Sequence, residues 1–196
     1  MDFAKIIQRA KNILLSPKTE WPVIAAEPAT VASVYQYAIV MAALPAIAGF
    51  LGSLLFGAGL MWGIVSAVLG YALGLAMVYV IALIVDALAP SFGGEKNFVQ
   101  SLKLIVYCST ATWVAGISAI IPLLSMIIGL IGLVYAIYLL YLGAEPVKKV
   151  PGDRAVGFTA VVLILWIVLY FVVGALIAGI TLAMIGGAAM TGALGT

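Results

Sequence analysis

Few side chains in this 196-residue sequence could do chemistry, and most of those gather around one segment. Gln100, Lys103, Tyr107 and Thr110 recur at three- and four-residue spacing, which places them on one face of a helix, with Ser101, Cys108 and Thr112 on the neighbouring face. Asp86, Tyr135, Tyr138 and Glu145 fall on flanking segments and complete a candidate polar groove. Charges within or at the edge of an apolar span are costly unless paired. An ion pair between Asp86 and Lys103 is therefore the expected arrangement, with a substrate or ion site as the alternative. Glu20 and Glu27 read as solvated residues of a connector, or as neighbours of that groove.

What is missing narrows the chemistry further. The sequence has no histidine, so the usual neutral-pH general base and commonest metal ligand are lacking. Its one cysteine, Cys108, allows neither an intramolecular disulfide nor a cysteine-based metal cluster. No zincin pair, nucleophile elbow or dinucleotide fingerprint occurs, and Gly93-Gly94-Glu95-Lys96 lacks the spacing and context of a phosphate-binding loop. The reading is of a non-enzyme with neither metal nor cofactor. A net charge of +2, with no basic patch interleaved with aromatics, gives nucleic acid no footing.

The elements that must position these residues are membrane helices. The sequence is 66% hydrophobic and 8% charged, with a mean hydropathy of +1.29, far from the composition of soluble domains. Its apolar residues form five stretches, at about 31–56, 61–88, 98–121, 123–143 and 156–186, each long enough to cross a bilayer. An all-α integral membrane protein follows. Pro45 should kink the first span, and Pro122 should break the chain into a hairpin of the third and fourth spans. All 9 Lys and Arg residues lie before the first span, around Lys96 and Lys103, or between Lys148 and Arg154. By the positive-inside rule the N-terminus is cytoplasmic and the C-terminus exported.

Small residues mark where helices could approach closely. Gly49 follows Ala42 and Ala46 in the first span. Gly70 and Gly74 form a Gly-x-x-x-Gly pair in the second, aligned with Gly63 and Ala67. Ser125, Gly129, Gly132, Ala136 and Gly143 line the fourth, and Gly174 precedes Ala178 in the fifth. The hairpin is expected to be the packing hub, the third span sitting inside the bundle with its polar line and the fourth packing through its small-residue stripe. An uncharged, weakly structured tail is expected after the fifth span.

Residues 1–15 have helical periodicity, with Phe3, Ile6, Ile7, Ala10, Ile13 and Leu14 on one face and Lys5, Gln8, Arg9 and Asn12 on the other. This segment either lies in the membrane interface or packs on the cytoplasmic ends of the spans. Its interrupting charges and the lack of an apolar core and cleavage site argue against a secretory signal. Lys5, Arg9, Lys11 and Trp21 are the candidate membrane-surface residues, Trp21 by lodging its ring among headgroups. Residues 16–30, with three prolines, read as a cytoplasmic connector.

Leu15-Ser16-Pro17-Lys18-Thr19-Glu20-Trp21, Pro45, Gly93-Gly94, Tyr107 and Pro122, taken together, resemble the membrane domain of the Yip (Ypt-interacting protein) family, most closely its compact bacterial members. The resemblance implies five spans, a cytoplasmic N-terminus, an exported C-terminus and residence in a bacterial inner membrane. Eukaryotic relatives are associated with Rab-type GTPases, partner membrane proteins and vesicle traffic. The family's long acidic N-terminal region with its Asp-Leu-Tyr-Gly-Pro element is missing here, which counts against GTPase binding. Two functions fit these features. One is a membrane scaffold that organises the bilayer, other membrane proteins or copies of itself. The other is a small transporter, channel or lipid scramblase with a cytoplasm-facing groove around Lys103 and Tyr107.

Overall fold

The computed structural model describes residues 3–57 and 59–194, with side chains through residue 176. Asp2, Ala58, the last two residues of the expected tail and the side chain of Ala178 lie outside the described residues. Within them the chain forms eight α-helices in order: α1 (Phe3–Leu15), α2 (Pro17–Ala26), α3 (Val31–Leu55), α4 (Leu60–Leu88), α5 (Phe98–Cys108), α6 (Thr110–Ala115), α7 (Pro122–Lys148) and α8 (Gly152–Leu194). Tighter 3₁₀ turns at Ala89–Phe92 and Gly116–Ile120 extend α4 and α6. Five stretches are long and apolar enough to cross a bilayer: Val31–Leu55, Leu60–Phe92, Phe98–Ile120, Pro122–Lys148 and Gly152–Leu176. The chain is thus an all-helical, multi-pass membrane protein.

Local chemistry explains the boundaries. α3 begins in a capping box, with Thr30 and Ser33 exchanging side-chain to backbone bonds of 3.0 and 3.2 Å. Gly57 and Gly59 have φ of +80° and +86°, a left-handed turn that returns α4 beside α3. The 3₁₀ turn after α4 ends at Gly93, φ +79°, whose N–H donates to the Pro90 carbonyl. Asn97 caps α5 by accepting from the Gln100 N–H at 3.2 Å.

The third span is not one continuous α-helix from 98 to 121. It is broken at Ser109, whose hydroxyl donates back to the Ile105 carbonyl at 2.7 Å, while Thr112 does the same to Ser109 at 2.8 Å. Such back-bonding loosens helical hydrogen bonds and bends the axis. The span then tightens into the 3₁₀ turn and stops at Ile121, extended, before Pro122 opens α7 at the position where a missing N–H costs nothing.

Three expected irregular segments are helical. Pro17–Ala26 is a helix because Pro17 sits at its first turn and buried Trp21 and Ile24 hold one side against the bundle, so Pro22 forfeits only one backbone bond. α7 continues past Gly143 to Lys148, with Pro146 tolerated near its end, so Glu145 is helical and not in a loop. α8 starts at Gly152 and runs to Leu194, so the tail expected after residue 186 continues the helix.

Packing is tightest around the third span. Half of its most apolar window is buried, against 28% or less in the other four. Small residues let backbones meet there, at positions only partly anticipated. A β-carbon on Gly132 would lie 2.4 Å from the Ala115 methyl, one on Gly116 would lie 2.6 Å from Pro45 Cβ, and one on Gly52 would lie 2.5 Å from the Ala119 carbonyl. Gly63 likewise receives Ser53 and Phe50, and Gly143 receives Leu104 and Trp21. Gly49, Gly70, Gly74, Gly129 and Gly174 do not work this way: nothing lies within 4 Å of a β-carbon built on any of them. α3 and α4 meet closely at Gly63, against Phe50 and Ser53, whereas Gly70 and Gly74, in the same row of α4, are exposed.

This difference is measurable. Gly132→Leu should destabilise the fold by about 2 kcal/mol or more through overpacking, whereas Gly129→Leu, one turn away, should stay within about 0.5 kcal/mol. Reversible unfolding in mixed micelles compares the two, and equal losses would contradict this packing.

Candidate functional site

The charged residues converge on one end of the bundle in two clusters. The first is built by the turn at Ser16-Pro17, which folds α2 back on α1 and brings Arg9 to two acids distant in sequence. Its guanidinium is paired with Glu20 and with Glu27. Asn12 adds a 3.1 Å bond to Glu20. Arg9 also lies over the Tyr107 ring, 5.9 Å from its centroid, in cation–π geometry. Tyr107 in turn packs on Tyr37 at 4.9 Å, and the Tyr37 hydroxyl shares a 2.9 Å hydrogen bond with Thr110.

Lys103, 3% exposed, supports this cluster from α5. Its ammonium donates to the carbonyls of Ile24 at 2.8 Å and Glu27 at 2.6 Å, and Gln100 donates to the Ala25 carbonyl at 3.0 Å. The last carbonyls of a helix have no partner within it and form the negative end of its dipole. Lys103 and Gln100 thus cap α2 from outside. Among the described residues, no carboxylate lies within ion-pair distance of Lys103.

Asp86 therefore does not pair with Lys103 as expected. It accepts from Lys148 at 3.1 Å, from Ser101 at 3.0 Å and from the Asn97 N–H at 2.7 Å, and Lys148 also reaches the Asn97 carbonyl at 3.2 Å. The reason is helical geometry. Ser101 and Lys103 are two residues apart and point to opposite sides of α5, one toward α4 and the other toward α2. The side chain of Lys148 is completely buried, so this second cluster ties α4, α5 and α7 together away from water.

A cavity of about 650 Å³ lies within the first cluster, between α1, α2, the start of α3 and α5. Lys103 and Tyr107 share its wall with Arg9, Glu20, Glu27 and Gln36. The rest of the expected groove is dispersed. Thr110 is buried beyond Tyr37. Tyr135 donates to the Leu14 carbonyl at 2.6 Å and, with Tyr138, lines a separate cavity of about 460 Å³ beside Leu15–Thr19. Glu145 is exposed and faces Gly152.

The surface residues also divide. Lys5 and Lys11 are exposed, but Arg9 is drawn inward by its two acids. Trp21 is only 1% exposed and wedges against Gly143, so it is a core residue and not a headgroup anchor. Glu20, 7% exposed, is not solvated. Glu20 and Glu27 do neighbour Lys103 and Tyr107, as one of the two expectations for them had it, but sequence reasoning missed the roles of Arg9 and Lys148. The signal for Arg9 was the Ser-Pro break ahead of Glu20 and Glu27, which a hairpin brings next to it.

Fold and site together define a five-span helical membrane protein with a charged, helix-capped end. A match to the Yip1 domain covers residues 11–176, and the chain belongs to that family. No curated protein and no solved structure matches it.

Replacing Lys148 with Met should leave Asp86 buried without its cation and cost roughly 3–5 kcal/mol. Adding Asp86→Asn should recover part of that loss, because the uncompensated charge is then gone. A double-mutant cycle by thermal unfolding checks this, and strict additivity would exclude the coupling.

Proposed function

We propose that this protein is a non-enzymatic scaffold of a bacterial inner membrane, holding partner membrane proteins or shaping the bilayer. The observation that carries the reading is where the third span's polar groups go. Lys103 and Gln100 cap α2, Ser101 holds Asp86, Ser109 bonds within its own helix, and Thr110 holds Tyr37. Residues that could have lined a conduit stabilise the fold instead. Gly49, Gly70, Gly74 and Gly129, with open space beyond them, leave small-residue faces for other helices or a second copy of the chain.

In this reading the N-terminus is cytoplasmic and the C-terminus exported, which sets the Lys- and Arg-bearing end inward. α1 is an interfacial helix. Ile6, Ala10 and Ile13 rest on protein, while Phe3 and Ile7, 62% and 67% exposed, extend the same apolar arc toward lipid. The cavity beside Lys103 and Tyr107 favours a second reading, a small transporter, channel or lipid scramblase open to the cytoplasm.

Flux decides between them. Reconstituted protein is expected to pass neither ions nor fluorescent lipids across liposomes, and to show energy transfer between labelled copies or partners that falls on Gly70→Ile with Gly74→Ile. Flux abolished by Tyr107→Ala in a folded variant would establish the second reading instead. A cysteine at Gly59 should be labelled from outside the cell, and labelling from the cytoplasm alone would reverse the orientation.

A further inference from the structure

We propose that this protein thins the bilayer on one side, drawing the lipid surface at its charged end down by about 10 Å along the face that carries α1 and α2. The inference deepens the bilayer-shaping part of the scaffold reading and rests on the interfacial place given there to α1.

The height of α1 on the bundle is fixed by its contacts. Arg9 lies over Tyr107, α1 rests on α6, and the Leu14 carbonyl accepts from Tyr135. Tyr135 is midway along α7, about 20 Å from Lys148, and Thr110, where α6 begins, is about 18 Å from the start of α5. The α1–α2 hairpin therefore turns halfway down the long helices. Ser16, Lys18 and Thr19 are exposed at that turn and line the open cavity facing Tyr135 and Tyr138. Groups of this kind are costly a full leaflet deep in hydrocarbon. A lysine lifts its charge only by the length of its own stem, and serine and threonine cannot lift theirs at all.

The lipid-facing surface has the same asymmetry. On α7 the exposed large apolar residues run from Leu123 to Val134, a band about 17 Å tall. Beyond it α7 exposes only Tyr138, Tyr141 and Glu145. Tyrosines at the edge of an apolar band mark the headgroup level. Elsewhere the band is taller. α4 exposes large apolar side chains from Leu60 to Leu83, about 35 Å, and α8 from Val156 to Leu176, about 30 Å. On α3 they run from Ile39 to Phe56, about 25 Å, with exposed Ser33 and Gln36 above them. Ser101 reaches α4 and Lys103 reaches α2 from opposite sides of α5, so the hairpin and α4 lie on opposite faces. A hydrocarbon core of about 30 Å matches α4 and α8 but overshoots the α7 band by roughly 10 Å. Lipid meets a short apolar band by thinning beside it.

Depth readings on the two faces test this. Nitroxide labels would be placed on Lys18→Cys, Leu83→Cys and Val156→Cys, each exposed, in the full-length chain in phosphatidylcholine–phosphatidylglycerol vesicles. The unsubstituted protein, whose Cys108 is fully buried, gives the background. Leu83 is one turn from Asp86, which meets Lys148, and Val156 is one turn from Gly152, which faces Glu145. Both are thus nearer the charged end than Lys18, which stands across from Tyr135 and Tyr138. Relaxation by oxygen, which concentrates in lipid, against relaxation by a water-soluble nickel complex reads the depth of each label. Lys18→Cys is expected to report water, and Leu83→Cys and Val156→Cys hydrocarbon, the reverse of their order along the bundle. Hydrocarbon at all three would mean a level bilayer reaching the helix ends, and water at all three a level bilayer lying low; either overturns the proposal. Thr19→Cys and Val80→Cys, exposed on the same two faces, replace a variant that does not fold. A level bilayer with energy transfer between labelled copies intact would overturn the thinning and leave the scaffold reading standing.

Discussion

Lys103, buried on α5, supplies the hydrogen bonds that the end of α2 lacks within its own helix. α2 packs Trp21 and Ile24 against the bundle, and its last carbonyls have no partner within the helix. The ammonium on α5, with the Gln100 amide beside it, meets them. The rest of the charged end depends on that cap. With α2 seated, Trp21 fills the notch at Gly143, Glu20 and Glu27 stand where Arg9 can hold both, and α1 is drawn over Tyr107. A hydrogen-bonding requirement at one helix terminus thereby places four elements.

The two charged clusters meet the same constraint differently. Around Asp86 a carboxylate and an ammonium neutralise one another, and Ser101 and the Asn97 backbone complete the shell. A buried pair of this kind contributes little net stability but makes wrong arrangements costly. Around Lys103 the charge meets dipoles alone, and its surroundings open into a cavity. The closed cluster ties α4, α5 and α7 together; the open one holds α2 on α5 beside the cavity.

Much of the fold was legible because the bilayer writes its demands in composition. Five apolar stretches, the turn at Gly57 and Gly59 and the hairpin at Pro122 all follow from length and from residues with restricted backbones. The N-terminal connector was less so, since prolines that usually interrupt helices can sit in a first turn, as Pro17 does, or face away from packing. Pairings were the least legible. Helical periodicity placed Lys103 and Tyr107 on one face, and both reach one cavity, but it could not say that Asp86 would meet Lys148 from a segment read as loop. Nor could the glycine rows reveal which members meet a neighbour, because that depends on how helices cross: Gly52 packs where Gly49 was expected to, and of the glycines in the second span's row Gly63 packs while Gly70 and Gly74 do not.

The hairpin of α1 and α2 is made before the residues that hold it. Its carbonyl partners Lys103 and Gln100 lie 75 to 79 residues further on, and Tyr135, which secures the end of α1, lies 121 residues after Leu14. Until the third and fourth spans are in the membrane, none of these donors can reach it. The α1–α2 hairpin must therefore dock after those later spans have been made. Completion of the charged end then reports that the hairpin around Pro122 has been inserted.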